Sequence, residues 1–179
     1  MQETRQNGSL GADGATVILP VVVHVIYSNS TQNISDAQIQ SQIDVLNANF
    51  AALNSYYNNT PSEFQGLRSG NTKIQFEMAT EDPNGNTTTG ITRKSSSTSS
   101  GGTNEAMKSS GGVDPWPTGD YLNIWVCNIG GGILGYAQFP GGSASTDGIL
   151  IGPNYFGSTN GGSGFHLSSP FDKGRTTTH

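Results

Sequence analysis

TVILPVVVHVIY (residues 16–27) followed, after SNSTQNIS, by DAQIQSQIDVLNANFAAL (residues 36–53) reads as a strand feeding a helix. The first run is rich in Val and Ile, whose branched side chains suit a pleated surface. Pro20 interrupts it and has no N–H for a ladder, so the strand is expected to begin after Pro20 or to bulge there. His24 is flanked by apolar residues on both sides, which predicts a strand buried on both faces and a hydrogen-bonded core histidine. In the second run Ile39, Ile43, Leu46, Phe50 and Leu53 recur at spacings of four and three, one apolar stripe of a helix. Ser35 and Gln38 have capping-box spacing, and Ile34 with Ile39 suits a hydrophobic staple. These features predict a helix over Asp36–Leu53 and the start of a strand–helix–strand unit.

Working outward, KIQFEMA (residues 73–79) alternates Ile74, Phe76 and Met78 with polar residues, a strand with one covered face. EDPNGN after it has turn chemistry. SSSTSSGGTNEAMKSSGG (residues 95–112) reads as a polar surface loop with one short turn near Glu105–Lys108. YLNIWVCNI (residues 121–129), ILGYAQF (residues 133–139) and DGILIG (residues 147–152) are three further strands joined by Gly-rich turns. Residues 1–15 read as a flexible lead-in, and residues 154–173 as a Gly/Ser/Asn loop.

The composition narrows the function classes. The chain has 179 residues, 32% hydrophobic and only 12% charged, with 25 glycines and a net charge of -5. An acidic chain argues against electrostatic binding of nucleic acid, which draws on Lys and Arg to neutralise phosphates. Its uncharged Asn/Thr/Gly-rich character is the pattern of secreted bacterial proteins. The single cysteine, Cys127, rules out an internal disulfide or a multi-Cys zinc site and, in an apolar run, reads as a buried inert thiol. No apolar run approaches the ~18 residues of a membrane span. The polar start MQETRQNGSLGADGA has no hydrophobic signal region, which sets up the expectation that an upstream segment is missing.

Local motifs are weaker. Gly130, Gly132 and Gly135 match G-x-G-x-x-G, but a strand and Pro140 follow where a phosphate-binding helix would be needed. GGSAS around Ser143 has Ser145 in place of the second glycine of a nucleophile elbow. Glu81 and Asp82 are neighbours on a turn, where carboxylates are solvated. His166, in a Gly/Ser loop, has either an exposed or a functional reading.

Taken in order, VVVHVIY, NISDAQIQSQIDVLNANF, DPNGNTTTGITR, YLNIWVCNI, LGYAQFPGG, DGILI and KGRTTTH resemble the pappalysin family of secreted zinc metallopeptidases, in the metzincin clan. The resemblance runs from Val21 to the last residue, with LNIWVC and LGYAQFPGG its most specific parts. It implies an α+β or α/β fold: a metzincin-like N-terminal (upper) subdomain over residues 16–179, with a twisted mixed sheet of about five strands and one long backing helix. In that family a segment like GRTTTH opens the active-site helix and continues as H-E-x-x-H-x-x-G-x-x-H, three zinc-binding histidines and a glutamate acting on the metal-bound water. His179 then corresponds to the first zinc ligand. The Glu, the other two His and the later Met-turn have no counterparts, since Met1, Met78 and Met107 all precede the motif.

The resemblance makes Gly135, Tyr136, Ala137, Gln138 and Phe139 the edge strand above the cleft, where an extended peptide substrate would add as a further strand. It implies zinc as cofactor of the complete enzyme and a protein or peptide as partner, with neither nucleic acid nor membrane; calcium sites are not legible. It leads to the expectation of a truncated, inactive chain without tightly held zinc, and of a bare apolar sheet face. The rival readings are a secreted binding module, which a long helix would disfavour, and a pseudo-protease or inhibitor.

Overall fold

Val17–Tyr27 forms β1, the spine of the protein, and Val21 to Ile26 are all buried. In the computed structural model, which describes residues 14–97, 105–109 and 111–179, this strand pairs on both sides. Along one side, β2 (Ile74–Met78) pairs with Val17–Val21 and β3 (Ile91–Ser95) with Val23–Tyr27, both parallel. Along the other, β4 (Leu122–Val126) runs parallel against Val21–Val25. The sheet continues through β6 (Ile149–Ile151), parallel to β4, to β5 (Gly135–Ala137), antiparallel to β6 at one edge, with β2 and β3 at the other. Residues 1–13 of the lead-in, and residues 98–104 and 110 of the segment read as a surface loop, lie outside the described residues.

Six strands replace the expected five. The extra one is β3, whose sequence ITRKS has no apolar alternation because its pairing is made by the backbone against β1 and its last three residues are exposed. The chain passes from β2 to β3 along the same edge through Gly90 at φ +72°, where a Cβ would come within 2.8 Å of the Ala79 nitrogen and 3.0 Å of the Val21 oxygen. Before that crossing, Asp82 accepts the N–H groups of Asn84 and Asn86 at 2.9 Å each, the turn chemistry expected of DPNGN. The bonds from Asn86 hold the Asp82 carboxyl below its ordinary range.

Pro20 neither ends nor bulges β1. Val17 donates to Lys73, Val21 accepts from Ala79 and Val23 donates to Gly90, so odd-numbered residues use the β2/β3 side. The nitrogen of Pro20 therefore faces the other side, one residue before β4 begins at Val21, where no ladder bond is needed.

One face of the sheet carries α1 (Asp36–Phe50). Ile39, Ile43 and Leu46 pack with Val21, Val23, Val25, Ile124, Val126 and Ile151 in the larger core. On the opposite face Ile26, Trp125, Cys127 and Leu150 form a second core closed by Met107. Residues 105–108 are thus no surface loop: Met107 and Lys108 are both buried, the apolar residue filling the core and the lysine paired within it. Among the described residues no helix is long and apolar enough to cross a membrane. The 15-residue helix packed on a mostly parallel sheet also excludes an all-β sandwich.

The helix is shorter than its apolar stripe. Ala52 sits at φ +59°, and the N–H groups of Ala52 and Leu53 return to Asn49 and Ala48, a Schellman ending that leaves Leu53 exposed. Only half of the capping box forms. The Ser35 hydroxyl accepts from the Gln38 N–H, but the Gln38 side chain instead donates to the carbonyls of Pro153 and Phe156. Because Ala52 holds a left-handed conformation that opposes its Cβ, Ala52→Gly should stabilise the fold by about 0.5–1 kcal/mol. Denaturant unfolding checks this, and an unchanged or lower midpoint counts against it.

Candidate active site

The β5 edge of the sheet faces a short helix. In β5 the Leu134 carbonyl accepts the Gly152 N–H at 2.8 Å, and the register pairs Tyr136 with Leu150. Alternation along an antiparallel pair therefore directs the backbone groups of Gly135 and Ala137 away from β6, toward open space. Gly135 also lies so close to β6 that a Cβ would meet the Leu150 oxygen at 2.9 Å. Gln138 and Phe139 continue the chain beyond the strand, with Phe139 89% exposed, so the strand expected over residues 133–139 shrinks to three residues.

The opposing element, α2 (Arg175–Thr178), is held by the amide side chains of α1. Gln42 donates to the Gly174 carbonyl at 2.9 Å, and Asn49 donates to the Thr178 hydroxyl at 2.9 Å. Gln42 also accepts the Gly157 N–H, and Ser41 accepts that of Ser158, so the segment from 153 to 174 is tied across one flank of the helix. These uncharged amides were the missed signal. Gln38, Gln42 and Asn49 fall on one side of α1, and a purely solvated side would carry charge instead. His179 follows as the C-cap, its N–H returning to the Arg175 carbonyl at 3.0 Å.

Between these elements lies a cavity of about 840 Å³. Leu46 and Phe50 of α1, Phe76 and Ile149 supply apolar wall; residues 135–139 form one rim and residues 175–179 the other. The structure thus brings together every position singled out for the site, which the sequence separates by about forty residues. The apolar sheet face expected to be bare is largely covered here: Leu46, Phe76 and Ile151 in this wall are all buried. Arg175 is the only charged residue among the lining groups, and its guanidinium lies 3.8 Å from the centre of the Tyr56 ring. The Thr177 hydroxyl, in the same wall, is buried without a hydrogen-bond partner.

The other candidates sit elsewhere. His24 is fully buried, with Nδ1 2.7 Å from the Thr92 hydroxyl and Nε2 3.0 Å from Asn123 Oδ1. Burial pulls its pKa down to about 4, partly opposed by the Asn123 bond, so it is a neutral core residue as its sequence setting predicted. His166 is exposed and lies outside the cavity lining. Cys127 is buried and desolvation pushes its thiol up to about 12, which leaves it unreactive near neutrality. The three glycines 130, 132 and 135 precede a strand and no helix, so they offer no dinucleotide site. Among the described residues no three His, Cys, Asp or Glu side chains converge as metal ligands.

No protein-family model matches the chain, and no curated protein does. Solved structures do. Mature mirolysin of Tannerella forsythia in complex with a cleaved peptide is 50% identical with a TM-score of 0.82, over 92% of this chain and 61% of that one. Mirolysin in complex with a compound is 51% identical (TM-score 0.84) over the same shares, and a promirolysin E225A mutant of Tannerella forsythia is 49% identical (TM-score 0.84) over 95% and 55%. The chain spans about three fifths of the length of these structures. Mirolysin is a metzincin-type protease, and the twisted mixed sheet with its backing helix is a metzincin-like fold.

Proposed function

We propose that this chain forms the upper, N-terminal part of the catalytic domain of a secreted, pappalysin-like zinc metalloendopeptidase, and that it holds a polypeptide substrate along β5. The observation that carries the reading is the convergence of an unpaired strand edge and His179 on one apolar-walled cavity. The cleaved peptide in the mirolysin complex supports the substrate class, and the low charge of the chain supports secretion.

The described residues give zinc too little to sit on. His179 is the one imidazole lining the cavity, and both nitrogens of His24 are engaged far from it. A catalytic zinc takes three protein ligands, so one histidine fits no such site and no chemical step follows through the metal on these residues. What they can do is bind and orient. Gly135 and Ala137 offer N–H and C=O groups to an extended backbone, which lies antiparallel or parallel to β5 by strand addition. Apolar walls then exclude water from the bound segment.

Titrating the chain with an unstructured peptide tests this. The amide resonances of Gly135 and Ala137 should shift saturably, while added zinc should bind only weakly, as a single exposed imidazole does. Peptide shifts confined to other surfaces, or equimolar zinc surviving dialysis against a chelator, would overturn the reading.

A further inference from the structure

Lys108 is 2% exposed, a buried ammonium with no part in the site described so far. Placing that charge out of water costs several kcal/mol unless it is well compensated. Its partners come from four separate segments. The Glu105 carboxylate lies 2.9 Å away within the same 3₁₀ turn, Glu105–Lys108, and the ammonium donates to the Thr146 carbonyl at 2.5 Å. The ring centres of Trp125 on β4 and Tyr136 on β5 are each 5.4 Å from the nitrogen, within cation–π range. Thr146 passes the connection on: its hydroxyl bonds to the Gln138 side chain, whose amide nitrogen donates to the Ser143 carbonyl.

Tyr136 and Gln138 belong to the rim of the cavity, and Thr146 to the loop that joins β5 to β6. We propose that Lys108 is a positioning residue for the substrate-binding rim, clamping β5 and the loop after it from the far side of the sheet so that the outer edge is preformed. The inference rests on the reading of β5 as the peptide-binding strand. The physical reason for a lysine is that a three-residue strand has too few ladder bonds to hold its own position. One ammonium can bind a carbonyl of the loop and a ring of the strand at once, which an apolar side chain cannot do. A preformed edge spares an incoming peptide the entropy of ordering it.

The test is Lys108→Met in this chain, a change that keeps volume and removes charge. Hydrogen exchange at the Tyr136 and Leu150 amides, which pair β5 with β6, should accelerate about tenfold while the β1 amides are unchanged. The Kd for an unstructured peptide should rise about tenfold, because a loosened edge must be ordered again on binding. A merely structural lysine would instead lower the melting temperature with Kd unmoved, and that result overturns the proposal. Where Lys108→Met does not fold, Thr146→Val removes the hydroxyl bonds to Gln138 and to the Ser143 carbonyl while keeping the carbonyl that Lys108 holds; a Kd rise of about threefold supports the clamp and an unchanged Kd overturns it. A wild-type chain that does not bind the peptide overturns the rim reading itself, and is told apart because it needs no variant.

Discussion

Between pH 7 and pH 4.5 the protein should lose about 2.5 kcal/mol of folding stability through His24 alone. The imidazole is fully buried on β1 between Trp125 and Trp116, with ring centres 5.2 and 6.2 Å away. Its proton is placed by its neighbours. Asn123 Oδ1 accepts the Trp116 N–H while Nδ2 donates to the Trp116 carbonyl, which fixes the amide orientation. The oxygen facing His24 Nε2 is then an acceptor, so Nε2 carries the proton and Nδ1 accepts from the Thr92 hydroxyl. A second proton has no acceptor already waiting, and burial opposes the charge, which together hold the pKa near 4 against 6.5 in an unfolded chain. The sign follows from proton binding. Below pH 6.5 the unfolded state takes up a proton that the folded state refuses until about pH 4, so stability is full above the first value and falls toward the second. Denaturant unfolding at pH 7 and 4.5 measures the loss, and His24→Gln, less stable at neutral pH, should show a correspondingly flatter dependence. Parallel pH curves for the two proteins would defeat the assignment.

Ala137→Pro should weaken peptide binding about 100-fold while leaving the fold in place. The N–H of Ala137 points out of the sheet, because Leu134 and Tyr136 are the residues that face β6. Proline there sacrifices no bond of the protein itself, as an edge strand permits. It does remove the donor offered to the substrate, and its ring occupies the space where the next strand would lie. Two backbone hydrogen bonds at about 1–1.5 kcal/mol each correspond to roughly two powers of ten in affinity. Peptide titration together with a melting curve separates the outcomes. Retained affinity in a folded variant would remove β5 as the docking strand, whereas Phe139→Ala, at an exposed side chain beyond the strand, should cost far less.

Much of the fold was legible because it follows from local pattern. The Val-rich run had to be a doubly covered strand, and Ile39, Ile43 and Leu46 had to face a sheet, since 3.6-residue periodicity leaves no other use for the stripe. The misreadings fall where tertiary contacts override local preference. ITRKS carries no apolar alternation and becomes a strand only because β1 presents free backbone groups beside it. Gln38 has the spacing of a capping residue, yet two buried carbonyls of a segment more than a hundred residues away claim its amide. Lys108 looked like a solvated charge in a polar loop until the second core closed around it.

The site divides along the same line. The amino-acid sequence by itself pointed to the candidates, GYAQF at 135–139 and the histidine of GRTTTH, through their order along the chain and their resemblance to a protease family. It also determined that His24 and Cys127 are core residues, because a polar group in a continuous apolar run is buried whatever the topology. Only the tertiary structure decided that β5 ends the sheet, that its odd-numbered residues face outward, and that His179 stands across the same cavity. Edge position, strand register and the approach of distant segments depend on which backbone groups find partners, and that is settled by long-range pairing that no local spacing encodes.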